Sequence, residues 1–125
     1  MDTCLLQDWI TVNASDTGSP SSVTQSAHQY IDLGRFEDLV FYLDVRRYTG
    51  AVVAVNYETS PTRQDSSFLP MIAPITLAAI GLRVDKAFFS TAAVPPARYV
   101  RWRLSTLGGA WSATLRIWMT AYKFC

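Results

Sequence analysis

Apolar and polar residues alternate with a period of two through much of the chain. Leu39, Phe41, Leu43 and Val45 alternate with Val40, Tyr42, Asp44 and Arg46, and Val53, Val55 and Tyr57 alternate with Ala54, Asn56 and Glu58. Successive side chains of a strand point to opposite faces, so each run predicts a strand with one buried face. Tyr48, Thr49 and Gly50 lie between the runs as a short turn, which predicts an antiparallel hairpin. A second pair follows the same logic. Val100, Trp102 and Leu104 alternate with Tyr99, Arg101, Arg103 and Ser105, which places three large apolar groups on one side and two guanidinium groups on the other. After the turn signal Gly108-Gly109, Leu115, Ile117 and Met119 alternate with Thr114, Arg116, Trp118 and Thr120. β-Branched and aromatic residues favour strands, so a second hairpin is predicted, with its last strand running nearly to the C-terminus.

The remaining segments are less regular. Residues 5–12 predict a first strand, followed at 13–22 by a loop rich in Ser, Thr, Asp, Gly and Pro whose tip is expected to be mobile. A strand is expected over 29–33, ending at Gly34. Residues 60–67 read as a polar loop and 68–72 as a short strand interrupted by Pro70; in 75–81 Ala78-Ala79 would suit a helix, but the flanking prolines and Gly81 favour a short strand. Val94-Pro95-Pro96-Ala97 predicts an extended linker, because each proline restricts the residue before it. No amphipathic helix and no repeat of solenoid length stands out. Short strands with turn signals at intervals of roughly 8–15 residues predict an all-β antiparallel sandwich, of jelly-roll or immunoglobulin-like type, with little or no helix.

Length and charge narrow the function classes. A chain of 125 residues and 13.9 kDa fits one domain over 1–125, since this size buries about two-thirds of its unfolded surface around one core. Half of the residues are apolar and 17% charged, which sets the chain apart from disordered tails. Eleven basic against ten acidic residues give a formal net charge of +1, too balanced for a generalised nucleic-acid binder or a polybasic membrane module. The longest apolar stretch, 68–82, contains Pro70 and Pro74 and falls short of the roughly 20 residues that span a bilayer. The first residues carry neither a basic start nor an apolar segment of secretory type, so synthesis in a cytoplasm is expected. A bridge between Cys4 and Cys125 fits the tendency of domain termini to lie close, but a reducing compartment argues against it.

Candidate chemistry is sparse. His28 is the single histidine, and its neighbours Ser26, Ala27 and Gln29 mark neither a nucleophile elbow nor an oxyanion loop. No metal-ligand spacing is present, so no metal and no cofactor are expected. Glu37 and Asp38 are adjacent and would point to opposite faces, whereas Asp44 and Glu58 are placed to pair with Arg46, Arg101 or Arg103 across a sheet. An enzyme is therefore not expected. The arginine bias says more: nine of eleven basic residues are Arg, the cation favoured for stacking on aromatics and at interfaces. Arg46, Tyr99, Arg101, Arg103, Arg116 and Trp118 are the outward-facing candidates for partner contact. A glycan-binding alternative uses Tyr99 and Trp118 as a flat stacking platform.

Two segments carry a family resemblance. The first runs from Leu39 to Arg46, turns at Gly50, and continues through Val53 to Glu58-Thr59-Ser60-Pro61; the second is Arg98-Tyr99-Val100-Arg101-Trp102-Arg103-Leu104-Ser105. Together they resemble the small β-sandwich virion proteins of tailed bacteriophages, over about half of the chain. The resemblance implies a structural role as a capsid decoration or cement protein on the virion exterior, with the major capsid protein as partner and neither nucleic acid nor membrane involved. A homotrimer around local three-fold axes is a secondary expectation. The competing readings are a carbohydrate-binding or receptor-binding sandwich and a low-copy tail or head-completion component.

Overall fold

The computed structural model describes residues 2–14, 21–34, 37–77, 79–106 and 108–122. Ten strands follow in order: β1 (Asp2–Ala14), β2 (Ser21–Thr24), β3 (Ile31–Asp32), β4 (Asp38–Gly50), β5 (Val53–Ser60), β6 (Leu69–Pro70), β7 (Ile75–Leu77), β8 (Gly81–Ala87), β9 (Tyr99–Thr106) and β10 (Trp111–Tyr122). The only helical turns among the described residues are 3₁₀ turns at Ala27–Gln29 and Asp65–Ser67. All pairings are antiparallel. They form a first sheet in the order β1-β10-β4-β8 and a second in the order β2-β9-β5-β6, with β3 also on β9 and β7 also on β5. The chain is thus the all-β antiparallel sandwich that the alternation predicts. The run β4, β5, β8, β9, β10 changes sheet whenever a loop joins two long strands, which is the jelly-roll arrangement and not the immunoglobulin-like one.

That connectivity corrects both expected hairpins. β4 pairs with β10 and β8, while β5 pairs with β9, β6 and β7, so the Gly50 turn carries the chain from one sheet to the other. The Gly108-Gly109 turn does the same between β9 and β10. Period two marks a strand and its buried face, but an arch between facing sheets shows the same alternation as a hairpin within one. The two arches touch: the Ala51 N–H donates to the Ala110 carbonyl at 2.9 Å. Gly50 has φ +97°, and a Cβ there would clash with Ala110 O and lie 2.8 Å from Trp111 Cα. This close approach of two backbones at a positive φ requires glycine.

The core lies between the sheets. Phe41 of β4 stacks on Tyr57 of β5 with ring centroids 3.9 Å apart and planes 4° from parallel, directly bridging the layers. Leu43, Leu104, Leu115 and Ile117 are almost wholly buried, each contributing about 1.5–3 kcal/mol relative to exposure. Buried polar groups are mostly partnered. The Trp102 indole N–H donates to Gln7 Oε1 at 3.1 Å, and Gln25 Nε2 donates to the Leu6 carbonyl at 2.6 Å. The Tyr57 hydroxyl has no hydrogen-bond partner, and burial, with the nearby Asp85 charge, pushes its pKa well up.

Several boundaries move. β8 falls where no strand was expected beyond Gly81, and the 75–81 strand ends at Leu77. The 29–33 strand reduces to β3 behind a 3₁₀ turn. β1 reaches Ala14 and β2 begins at Ser21, so only residues 15–20 of the expected loop remain between them; its tip lies outside the described residues, as does Cys125.

Candidate interaction face

The outer face of the first sheet is open around β8 and the β4–β10 bulge, and closes at Val40 and Thr120, which are buried. Register across its four strands aligns Leu5, Trp118, Tyr42 and Val84 in one row, and Arg116, Asp44 and Leu82 in the next. Trp118 is 36% exposed, Val84 48% and Leu82 67%, while Leu5 and Tyr42 are half-buried. Two irregularities add to the face. The β1–β10 register shifts between Gln7 and Ile10, and Trp9 emerges there at 37% exposure. The β10–β4 register shifts between Thr114 and Leu115, leaving Arg46 as the extra residue and both Arg46 and Arg47 exposed. Bulges re-aim side chains in this way.

Guanidinium and indole groups interleave on this face. Arg116 lies 4.6 Å from the Trp9 ring centroid and 5.3 Å from that of Trp118, and Arg46 lies 4.9 Å from Trp9. Such contacts contribute about 0.5–1 kcal/mol when exposed, and they hold the cations in place. Arg116 also pairs with Asp44 at 3.9 Å, while its Nε has no hydrogen-bond partner. An open cleft of about 480 Å³ beside this cluster is lined by Trp9, Thr11, Arg46, Arg47 and Thr114.

One end of the second sheet's outer face is roofed by the chain's own loops. Tyr30, Phe68 and Tyr99 form a small apolar cluster over β9 and β5. Arg101 is clamped beneath it. Its guanidinium donates to Glu58 Oε1 at 2.8 Å, to Asp65 Oδ1 at 2.6 Å and to the Tyr30 hydroxyl at 2.9 Å, and it lies 4.1 Å from the Phe68 ring centroid. Burial opposes its charge, but the hydrogen bonds to Asp65, Tyr30 and Glu58 overcome that cost and leave its pKa above the ordinary value. Arg103 Nε lies 3.1 Å from Glu58 Oε2, out of line for a hydrogen bond.

The six expected contact residues therefore divide. Arg46, Arg116 and Trp118 come together on the open face. Arg103, with its side chain 35% exposed, borders a separate cleft of about 650 Å³ that is also lined by Ser22, Ala54, Thr76 and Ser105. Tyr99 and Arg101 are corrected: they point outward from β9 as the alternation requires, yet are only 9% and 4% exposed because the loops around Tyr30 and Phe68 cover them. Tyr99 and Trp118 lie on opposite outer faces of the sandwich, so they form no common stacking platform. Of the expected ion pairs, Glu58 does meet Arg101 and Arg103, with Glu58 and Arg101 buried instead of solvated, whereas Asp44 lies 3.9 Å from Arg116, a partner not expected for it.

Trp9, Leu82 and Val84 escaped the sequence reading. Trp9 sits on an expected strand, but a bulge resets its facing, and the polar pair Gln7-Asp8 before it is the one hint. Leu82 and Val84 went with the unread β8, whose alternation sets them against Arg83 and Asp85. His28 is exposed in its 3₁₀ turn, and Asp38 Oδ1 accepts the Phe89 N–H at 2.9 Å. Among the described residues no group of three His, Cys, Asp or Glu converges as a metal site, and no helix is long and apolar enough to cross a membrane. No protein-family model matches the chain, and no curated protein matches it in sequence.

Proposed function

We propose that the chain is a structural, non-enzymatic virion protein of a tailed bacteriophage, a decoration or cement protein that seats the outer face of its first sheet on an assembled capsid. The observation that carries this reading is the cluster on the first sheet, where Trp9, Arg46, Arg116 and Trp118 interleave at the surface, while the Tyr30–Phe68 end of the second sheet's outer face is roofed by the chain's own loops. Trp, Tyr and Arg dominate the energetics of protein interfaces, and cations already held on indole rings lose less freedom on docking. The rings carry guanidinium groups where a sugar would stack, which favours a protein partner over a glycan. Arg46, Arg47, Arg116 and Lys86 outnumber Asp38 and Asp44 on this side, so the complementary capsid surface is acidic. The jelly roll is an architecture of viral capsid and of lectin domains alike, so it is the resemblance in the β4–β5 and β9 segments that points to the virion.

A protein that binds only the assembled, expanded shell stabilises it by its binding free energy, repeated over many copies. The test is binding of the purified protein to expanded capsids of its parent particle, with unexpanded precursor shells as control. Saturable binding to the expanded form, near capsid-protein stoichiometry and with a raised disruption temperature, is the expected result. Trp9→Ala with Trp118→Ala should weaken it by about 30-fold or more, whereas Arg98→Ala beside the second sheet should leave it unchanged. Absence of binding to either shell overturns the reading, and a few copies per particle would move it to a tail or head-completion role.

A further inference from the structure

The edges of the two sheets are unequally protected. β1 is long, but its pairing with β10 breaks at two register shifts that twist the edge away. In the second sheet β2 has four residues, β6 two and β7 three, and short edges make poor templates. β8 differs. Its seven residues pair with β4 without a break, it contains no proline, and no described strand covers its other side; of the devices that blunt an edge it carries only charges, Lys86 and the inward Arg83 and Asp85. Along it Leu82 and Val84 are exposed, with Ile80 just before it at 67% exposure. An edge of this kind presents a row of backbone donors and acceptors backed by apolar side chains.

Its charges are matched for one partner. Arg83 and Asp85 are two residues apart, so they share the inner face of the strand, and they pair with each other at 2.9 and 3.3 Å. We propose that β8 is the seam of a symmetric dimer, in which two copies pair β8 antiparallel about a two-fold axis at Val84. Residues equidistant from the axis then face each other. Arg83 lies opposite the second copy's Asp85, Asp85 opposite its Arg83, and Val84 opposite Val84, while the aliphatic stem of Lys86 covers Leu82. Registers centred on Arg83, Asp85 or Lys86 would set like charges opposite one another, and one centred on Leu82 would leave Arg83 opposite Gly81, so only the Val84 register pairs opposite charges. The pairing is isologous and closes on itself, as two-fold interfaces do. A trimer would need β8 to meet a different edge, and the others are short or bulged. The seam joins two four-stranded sheets into one of eight, and carries the row Leu5, Trp118, Tyr42 and Val84 across both copies. It rests on the chemistry of the edge and stands whether or not the open face binds a capsid.

The experiment is light scattering after size-exclusion chromatography across a wide range of concentration. The wild-type chain should reach twice its monomer mass of 13.9 kDa. R83E and D85R should each be monomeric, because like charges then oppose, and an equal mixture of the two should recover a heterodimer. Val84→Lys, on the outer face, should also give monomer with an unchanged circular dichroism spectrum, which separates loss of the seam from loss of folding. A wild-type chain that stays monomeric or forms a trimer overturns the proposal. So does a Val84→Lys variant that still dimerises, or failure of two folded charge variants to associate when mixed. Capsid binding plays no part in any of these readouts.

Discussion

Replacing Arg101 by Met tests how the second sheet's outer face is held. The substitution keeps an unbranched stem beside Phe68 but removes the guanidinium that binds Glu58, Asp65 and Tyr30. Arg101 and Glu58 side chains are each 4% exposed, so the change strands a carboxylate that water cannot reach. Breaking a buried pair from one side costs about 3–5 kcal/mol. Arg103 remains 3.1 Å from Glu58, which places the expected loss at the lower end, about 3 kcal/mol, and the fall in Tm at about 10 °C. Asp65→Asn should cost no more than about 1 kcal/mol, because the Asp65 side chain is 84% exposed and its ion pair is screened. The double variant Glu58→Gln with Arg101→Met removes the stranded charge, and should be more stable than the sum of the single effects by about 1–3 kcal/mol. Urea unfolding followed by circular dichroism gives all four values. Arg101→Met within about 0.5 kcal/mol of wild type, or a double variant with no favourable coupling, would refute a Glu58 charge held by Arg101. The raised pKa of Arg101 means that its charge is lost only above the ordinary arginine range, so alkaline pH should not imitate the substitution.

Other consequences can be measured directly. Gly50→Val should cost about 3 kcal/mol or more in chemical denaturation, since a β-branched residue at φ +97° would also drive Cβ into the Ala110 and Trp111 backbone. Gly34→Ala, at φ +62° with nothing within 4 Å of the added Cβ, should cost only about 1 kcal/mol. Asp32 is held below its ordinary 3.8 chiefly by the hydrogen bond from Arg98, so its contribution is present above that value and is lost as pH falls through the lower folded pKa. A carboxyl NMR titration should show a midpoint below 3.8 that rises in Arg98→Ala. Trp9→Ala and Trp118→Ala should each cost about 1–2 kcal/mol, because nearly two-thirds of each residue is covered, so capsid binding is compared at a temperature where circular dichroism shows both variants folded.

Alternation by itself determined which residues form strands β4, β5, β9 and β10 and which of their side chains face inward. Leu39, Phe41, Leu43, Val45, Val53, Val55, Tyr57, Val100, Trp102, Leu104, Leu115, Ile117 and Met119 are all buried. The reason is local: successive residues of a strand must face opposite ways, whatever the strand pairs with. Partner choice is not local. Only the assembled sandwich decided that Gly50 and Gly108-Gly109 lie on arches between sheets, because the turn's path depends on what the distant backbone of the other arch leaves room for. Exposure of the outward set was likewise decided by long-range contacts. Arg101 and Arg116 occupy equivalent outward positions in their alternating runs, but loops from far along the chain cover the first, while the second lies beside a Trp9 that two shifts of register turned toward it. A bulge shifts the phase of the alternation by one residue, which polar pairs such as Gln7-Asp8 and Arg46-Arg47 mark only faintly, and a loop covers a face without altering its pattern.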